Sequence, residues 1–166
     1  MATSRDEIKG LQAAQYGEIP SVAGVVATAK EAVNAMHRRT INIVNVADQG
    51  AAAAIAEYPF AHVRRAVRVR SITITVDATA LAANDTDYVT MTIGKRTAGG
   101  SRTTIGTYDS RAANQGALTS MTPVEWALTA ANVDLAAGDV LTYQNALGGS
   151  GKIVPAGCIS VDVEEI

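Results

Sequence analysis

Few residues in this chain could carry chemistry, and their spacing does not assemble a familiar constellation. There are two histidines, His37 and His62. Neither has a second His, a Cys or a paired carboxylate at metal-ligand spacing, so each reads as a surface histidine. The single cysteine, Cys158, excludes an intrachain disulfide and a thiolate metal cluster. No basic neighbour lowers its pKa, and it reads as a small buried hydrophobe. In "NDTD", Asp85 and Asp87 supply two carboxylates where calcium takes six or more oxygens, so the stretch reads as a turn. "GKRTAGGSR" (Gly94 to Arg102) mixes glycine with cations but lacks the Gly-Lys-Ser/Thr ending of a phosphate loop. It joins two predicted strands and reads as a flexible hairpin tip. With no nucleophile elbow, paired-histidine motif or dinucleotide fingerprint, the expectation is a non-enzyme with no cofactor and no metal.

The remaining polar feature is the run Arg64, Arg65, Arg68 and Arg70. No aromatic residues interleave it, as single-strand nucleic-acid binders require. Fourteen Lys and Arg against sixteen Asp and Glu leave a formal charge of −2, which also argues against nucleic acid as a partner. Arg68 and Arg70 are expected to meet Asp162 and Glu164 across a ladder. Arg64 and Arg65 are then left for acidic groups on another molecule.

The elements that position these groups fall into two textures. Residues 1–39 are rich in Ala, Glu, Lys and Gln, which favour helix, with a plausible start at Pro20-Ser21. Val22, Val26, Ala29, Val33 and Met36 follow at alternating gaps of four and three. Such a stripe resembles a short coiled-coil seam, but it covers only about two heptads and Gly24 weakens it further, so a surface helix packed on its own domain is the preferred reading. From Thr40 onward Thr, Val and Ile alternate between recurring turns. Strands are predicted near 40–47, 62–77, 87–97, 102–109, 123–130, 139–147 and 157–165. The core must come from Val, Ile, Leu and Ala, since 48% of the chain is apolar but only 4% aromatic. The expected fold is an all-β sandwich, with the jelly roll among its forms, spanning 40–166 and preceded by a partly helical N-terminal arm, 1–39. Ile159, Val161 and Val163 are expected to face inward, as are Val89, Met91 and Ile93, with Val124, Trp126 and Leu128 sharing one face. "LAAND" from Leu81 and "LAAGD" from Leu135 each set a turn residue and an Asp before a strand. No stretch approaches the roughly 18 apolar residues of a membrane span. The polar start lacks a secretory profile, so the expectation is a soluble product of a reducing compartment.

One strand breaks its own rule. In "VRRAVRVRSITITVDAT", Val67 and Val69 occupy odd positions, whereas Ile72, Ile74 and Val76 occupy even ones. Side chains alternate faces with a period of two, so the apolar face changes sides near Arg70. A bulge or a corner between sheets is required there. The Val67/Val69 face is expected to be covered by a neighbouring subunit or by the arm. "TINIVNV" repeats the change, with Ile41 and Ile43 in one phase and Val44 and Val46 in the other.

Several motifs recur in one order: Tyr58-Pro59-Phe60 before an Arg-bearing strand, Leu81 to Tyr88, Gly99-Gly100, Leu135 to Asp139, and Val154 to Gly157. In that order the chain resembles the decoration (cement) proteins of tailed-bacteriophage heads, over roughly residues 55–166. The resemblance implies a β-sandwich that assembles as a homo-oligomer, typically a trimer. It implies that this oligomer sits on the capsid exterior of the virion, bound to the major capsid protein, after synthesis in the host cytoplasm. It implies no catalysis. Contacts with a neighbour or the shell are then expected at Val67, Val69, Arg64, Arg65, Tyr58 and Phe60, and along Val22, Val26, Val33 and Met36. The alternative is a carbohydrate- or receptor-binding sandwich of a phage fibre, with Tyr108 and Tyr143 as ring platforms and Trp126 in the core. An enzyme subunit would require a cleft with converging polar groups.

Overall fold

Branched residues at every second position suit a pleated, half-buried surface, and from Arg38 onward the chain is built largely of strands. The computed structural model describes residues 38–46 and 54–166. The chain divides after His37, so the strand domain begins at Arg38, two residues before the expected boundary. The stripe from Val22 to Met36 lies outside the described residues. The strands are β1 (Arg38–Val46), β2 (Ile55–His62), β3 (Val67–Val76), β4 (Tyr88–Arg96), β5 (Arg102–Asp109), β6 (Val124–Glu125), β7 (Ala127–Leu128), β8 (Asp134–Leu135), β9 (Val140–Gly148) and β10 (Gly157–Glu165).

One sheet has the order β1-β10-β3-β6, with β8 also pairing β3, and the other has β2-β9-β4-β5-β7. All pairings are antiparallel. If β6 and β8 are taken as one interrupted strand, the pairs β1·β10, β2·β9, β3·β6/β8 and β4·β5 nest inside one another along the sequence. They alternate between the two sheets, and that nesting is the jelly roll. Its interior is aliphatic, as the composition requires. Ile41, Val161 and Ile72 form one cross-strand row and Ile159 and Ile74 share the next, facing Val89, Met91, Ile93 and Leu141 of the other sheet within one core.

The change of phase in β3 is a bulge. Asp162 lies opposite Ser71 and Val163 opposite Val69, so Arg70 is the extra residue. One inserted residue resets the alternation, and Val67, Val69, Ile72, Ile74 and Val76 are all buried on the same side. This corrects the expected second apolar surface. Val67 and Val69 are 0% and 2% exposed inside the chain's own core, with Leu135 opposite Val67 and the Val133 carbonyl accepting from the Val69 amide. In β1 the register likewise slips by one between Val44, opposite Cys158, and Val46, opposite Gly157.

Four further expectations change. The predicted strand 62–77 is two elements, because β2 ends at His62 and turns into β3. Tyr58-Pro59-Phe60 lies within β2, at the edge of its sheet, where a proline can forgo a ladder hydrogen bond. The stretch predicted as one strand at 123–130 crosses between sheets. Val124 and Glu125 pair with β3, whereas Ala127 and Leu128 pair with β5. Trp126 sits at the crossing, 3% exposed, its ring 6.3 Å from that of Tyr108. Tyr108 and Tyr143 are also buried, at 0% and 2% exposure, so neither is a ring platform. Cys158 is half-buried with its Sγ 3.8 Å from the Ser160 hydroxyl, not a buried hydrophobe.

Gly106 allows the sheets to close at this crossing. A Cβ there would lie 2.6 Å from Ile72 Cδ1 and 3.3 Å from Leu128 Cδ2. Overpacking of this kind costs about 1–3 kcal/mol. Gly106→Ala should lower stability by that amount in denaturant titration, and Gly106→Ala with Ile72→Val should recover part of the loss. No recovery would mean that Ile72 is not the contact.

Candidate functional site

The strand directions sort the connections into two ends. One end carries the β2–β3, β4–β5 and β8–β9 connections, the start of β1 and the finish of β10. The other carries the β3–β4, β5–β6 and β9–β10 connections. Among the described residues, every Lys and Arg except Arg111 and Lys152 lies toward the first end. This cationic end is the candidate site.

Its backbone is held firmly. The Val63 amide donates to the Asp139 carbonyl at 2.8 Å, and the Gly138 amide donates to the Val63 carbonyl at 2.8 Å. Gly138 has φ of +98°, and the Asp139 carboxylate accepts from the Ala136 amide at 2.9 Å. "LAAGD" therefore builds a turn that clamps the β2–β3 connection, where Arg64 and Arg65 sit. "LAAND" uses its polar side chains differently. There Asn84 Oδ1 accepts from the amides of Thr86 and Asp87, while Asp85 accepts from Ala112 and Asp87 from Ser150. The "NDTD" carboxylates are thus turn braces.

Most cations at this end are already satisfied. Arg70 meets Glu164 at 2.5 Å, as expected across the ladder, with the Glu164 carboxylate nearly buried. Arg68 does not reach Asp162. It forms a bidentate pair with Asp134 at 2.5 and 2.9 Å, and this guanidinium, helped by Lys95 and Arg70, holds the Asp134 carboxyl below its ordinary pKa. The Asp162 carboxylate is taken by hydroxyls, Thr40 at 2.5 Å and Ser71 at 2.9 Å. Arg96 grips Glu57 at 2.6 and 3.1 Å and lowers its pKa. Arg102 lies over Gly94, where a Cβ would come within 2.7 Å of the guanidinium. It donates to Thr92 and Thr142, and burial pulls its pKa below the ordinary value.

Arg65 reaches Glu165 only at 3.5 Å, with 73% of its side chain exposed. Arg38, Arg39 and Arg64 are exposed and form no ion pair with the described residues. They flank the finish of β10, since Arg38 lies opposite Glu164 and the Ile166 amide donates to the Ala66 carbonyl at 3.3 Å. Such guanidinium groups suit carboxylates or phosphates. Of the other expected contact residues, Tyr58 is exposed on β2 and Phe60 is half-buried against the core. His62 is exposed at the end of β2. Among the described residues no cluster of three His, Cys, Asp or Glu could hold a metal ion. Asp134 was not singled out in the sequence, although it precedes Leu135 in "VDL", an apolar-polar-apolar alternation that marks it as an outward strand residue.

No family model matches the chain, and no curated protein does. A solved structure of the infectious bursal disease virus Gt strain is similar at 16% identity and a TM-score of 0.33. That likeness covers 76% of this chain and 31% of the viral one, so the chain spans about a third of that protein's length.

The pair Arg70–Glu164 has one exposed and one nearly buried partner. Arg70→Met should therefore cost about 1 kcal/mol, the upper range for partly exposed pairs, and should cost little in a Glu164→Gln background. An equal loss in both backgrounds, measured by thermal unfolding, would mean that the pair contributes nothing.

Proposed function

We propose that this protein is a non-enzymatic structural component of a tailed-phage virion that binds the outer surface of the capsid as a homo-oligomer and braces neighbouring capsomers. The reading rests on the ordered motifs between residues 55 and 166 and on their positions in the jelly roll. Tyr58-Pro59-Phe60 lies in an edge strand, Gly99-Gly100 forms a hairpin tip, and Leu135 to Asp139 form the turn that holds the backbone of Val63, next to Arg64. The observation that carries it is the cationic end, where Arg64 stands exposed on a clamped connection with no carboxylate partner among the described residues. Its partner would be an acidic patch of the major capsid protein, met through charge-assisted hydrogen bonds. Residues 1–37 would serve as an arm to a neighbour or to the shell. Glycan binding by a fibre module is less well supported, because Trp126, Tyr108 and Tyr143 are all interior.

The test is to mix the purified protein with undecorated capsids and image them by cryo-electron microscopy. Arg64→Glu should reduce occupancy at least tenfold with the melting temperature unchanged. Binding of the native protein should weaken with salt, since exposed charges are screened beyond about 10 Å at 0.1 M. Occupancy indifferent to both changes would overturn the role of this end. Tight DNA binding at physiological salt would overturn the assignment.

A further inference from the structure

The end opposite the arginines has a different chemistry. Both outer sheet faces are polar: Thr142, Gly94 and Thr104 form one row and Gln144, Thr92 and Thr107 the next, while Thr40, Asp162 and Ser71 line the other sheet. Apolar exposure at the far end is concentrated in Met121, 70% exposed, and Ile153, 45% exposed. Met121 is also the only non-glycine among the described residues with positive φ, at +54°. A side chain rarely adopts that conformation, and such outliers persist where the surroundings impose them, often at functional positions. Here the Met121 amide is anchored to the Val76 carbonyl at 2.9 Å, and the side chain stands out in solvent.

Two hollows adjoin at this end, separated by the hydrogen bond from the Asp77 amide to the Ala156 carbonyl, 2.9 Å. One, of about 650 Å3, is lined by Leu81, Ile153, Pro155 and Lys152. The other is bounded by Val76, Met121, Cys158 and Asp77. Each therefore has an apolar wall and one charge, and the charges are opposite. Neither Asp77 nor Lys152 has an ion-pair partner among the described residues; the Asp77 carboxylate only accepts from the Thr79 amide, at 2.9 Å.

We infer that this end is the self-association surface, with Met121 and Asp77 of one copy seated against Ile153 and Lys152 of the next. A second copy fits because the two hollows are complementary to each other in charge and alike in apolar character. A contact between two different patches closes a ring if the rotation permits. This deepens the proposed function by giving the homo-oligomer its contact, and it leaves the arginine end free.

The test reads the mass of the full chain by sedimentation across a concentration series. The native protein should form a closed oligomer. Met121→Gly suits the positive φ and should leave the melting temperature unchanged or higher, while weakening association at least tenfold. Lys152→Glu should dissociate the oligomer, and adding Asp77→Lys should restore it, because the charges are then exchanged. A native monomer at all concentrations, or a double variant that stays dissociated while folded, would overturn the inference. A monomer that still decorates capsids would overturn this contact alone. An oligomer that fails to decorate would overturn the proposed function and leave the contact standing.

Discussion

The inserted residue in β3 governs most of what this molecule can be. β3 is the central strand of its sheet, pairing β10 on one side and β6 and β8 on the other. Without Arg70 as an extra residue, the strand could bury either Val67 and Val69 or Ile72, Ile74 and Val76, but not both sets. The other set would face solvent or require a partner. With it, five branched side chains enter one core, each contributing about 1.5–3 kcal/mol by burial. The bulge also turns Arg70 outward to Glu164 and leaves Ser71 to bind Asp162. Core and surface pairing are thus consequences of the same backbone irregularity.

The surface follows from how completely the interior is satisfied. Aliphatic residues fill the space between the sheets, Gly106 lets them close, and hydroxyl-bearing residues cover both outer faces. Broad sheet faces so covered offer little apolar area for association, and unusual chemistry is pushed to the two ends. One end gathers guanidinium groups, several of them paired with Glu57, Asp134, Glu164 or Glu165. The other displays Met121 and Ile153 beside two opposite charges, Asp77 and Lys152, with no ion pair among the described residues. This physical asymmetry of the strand domain underlies both the proposed docking and the proposed self-association.

Much of the fold was legible in the sequence because period-two alternation depends only on which face a side chain takes. β4, β5, β9 and β10 fall within a residue or so of their expected limits, and the Arg70–Glu164 pair follows from alternation on neighbouring strands. The need for a bulge was legible too, since a phase change has no other remedy within one strand. What covers the shifted face was not. That depended on Val133 and Leu135, far along the chain, returning to β3. Arg68 found Asp134 for the same reason, as β8 arrives beside it from a different part of the sequence.

Tertiary structure alone decided the rest, because sequence pattern reports the face of a residue but not its neighbours. Val124, Trp126 and Leu128 alternate as one strand would, yet the segment leaves one sheet and joins the other, with Trp126 buried at the crossing. Tyr108 and Tyr143 look like available rings until the opposing sheet closes over them. Met121 in "TSMTP" is an apolar residue among turn formers, a local sign of display at the surface. Its left-handed backbone and its place beside Asp77 come from strands that the sequence alone does not bring together. Alternation along each strand was therefore determined locally, while the chemistry of the two ends was decided by which connections the jelly roll brings together.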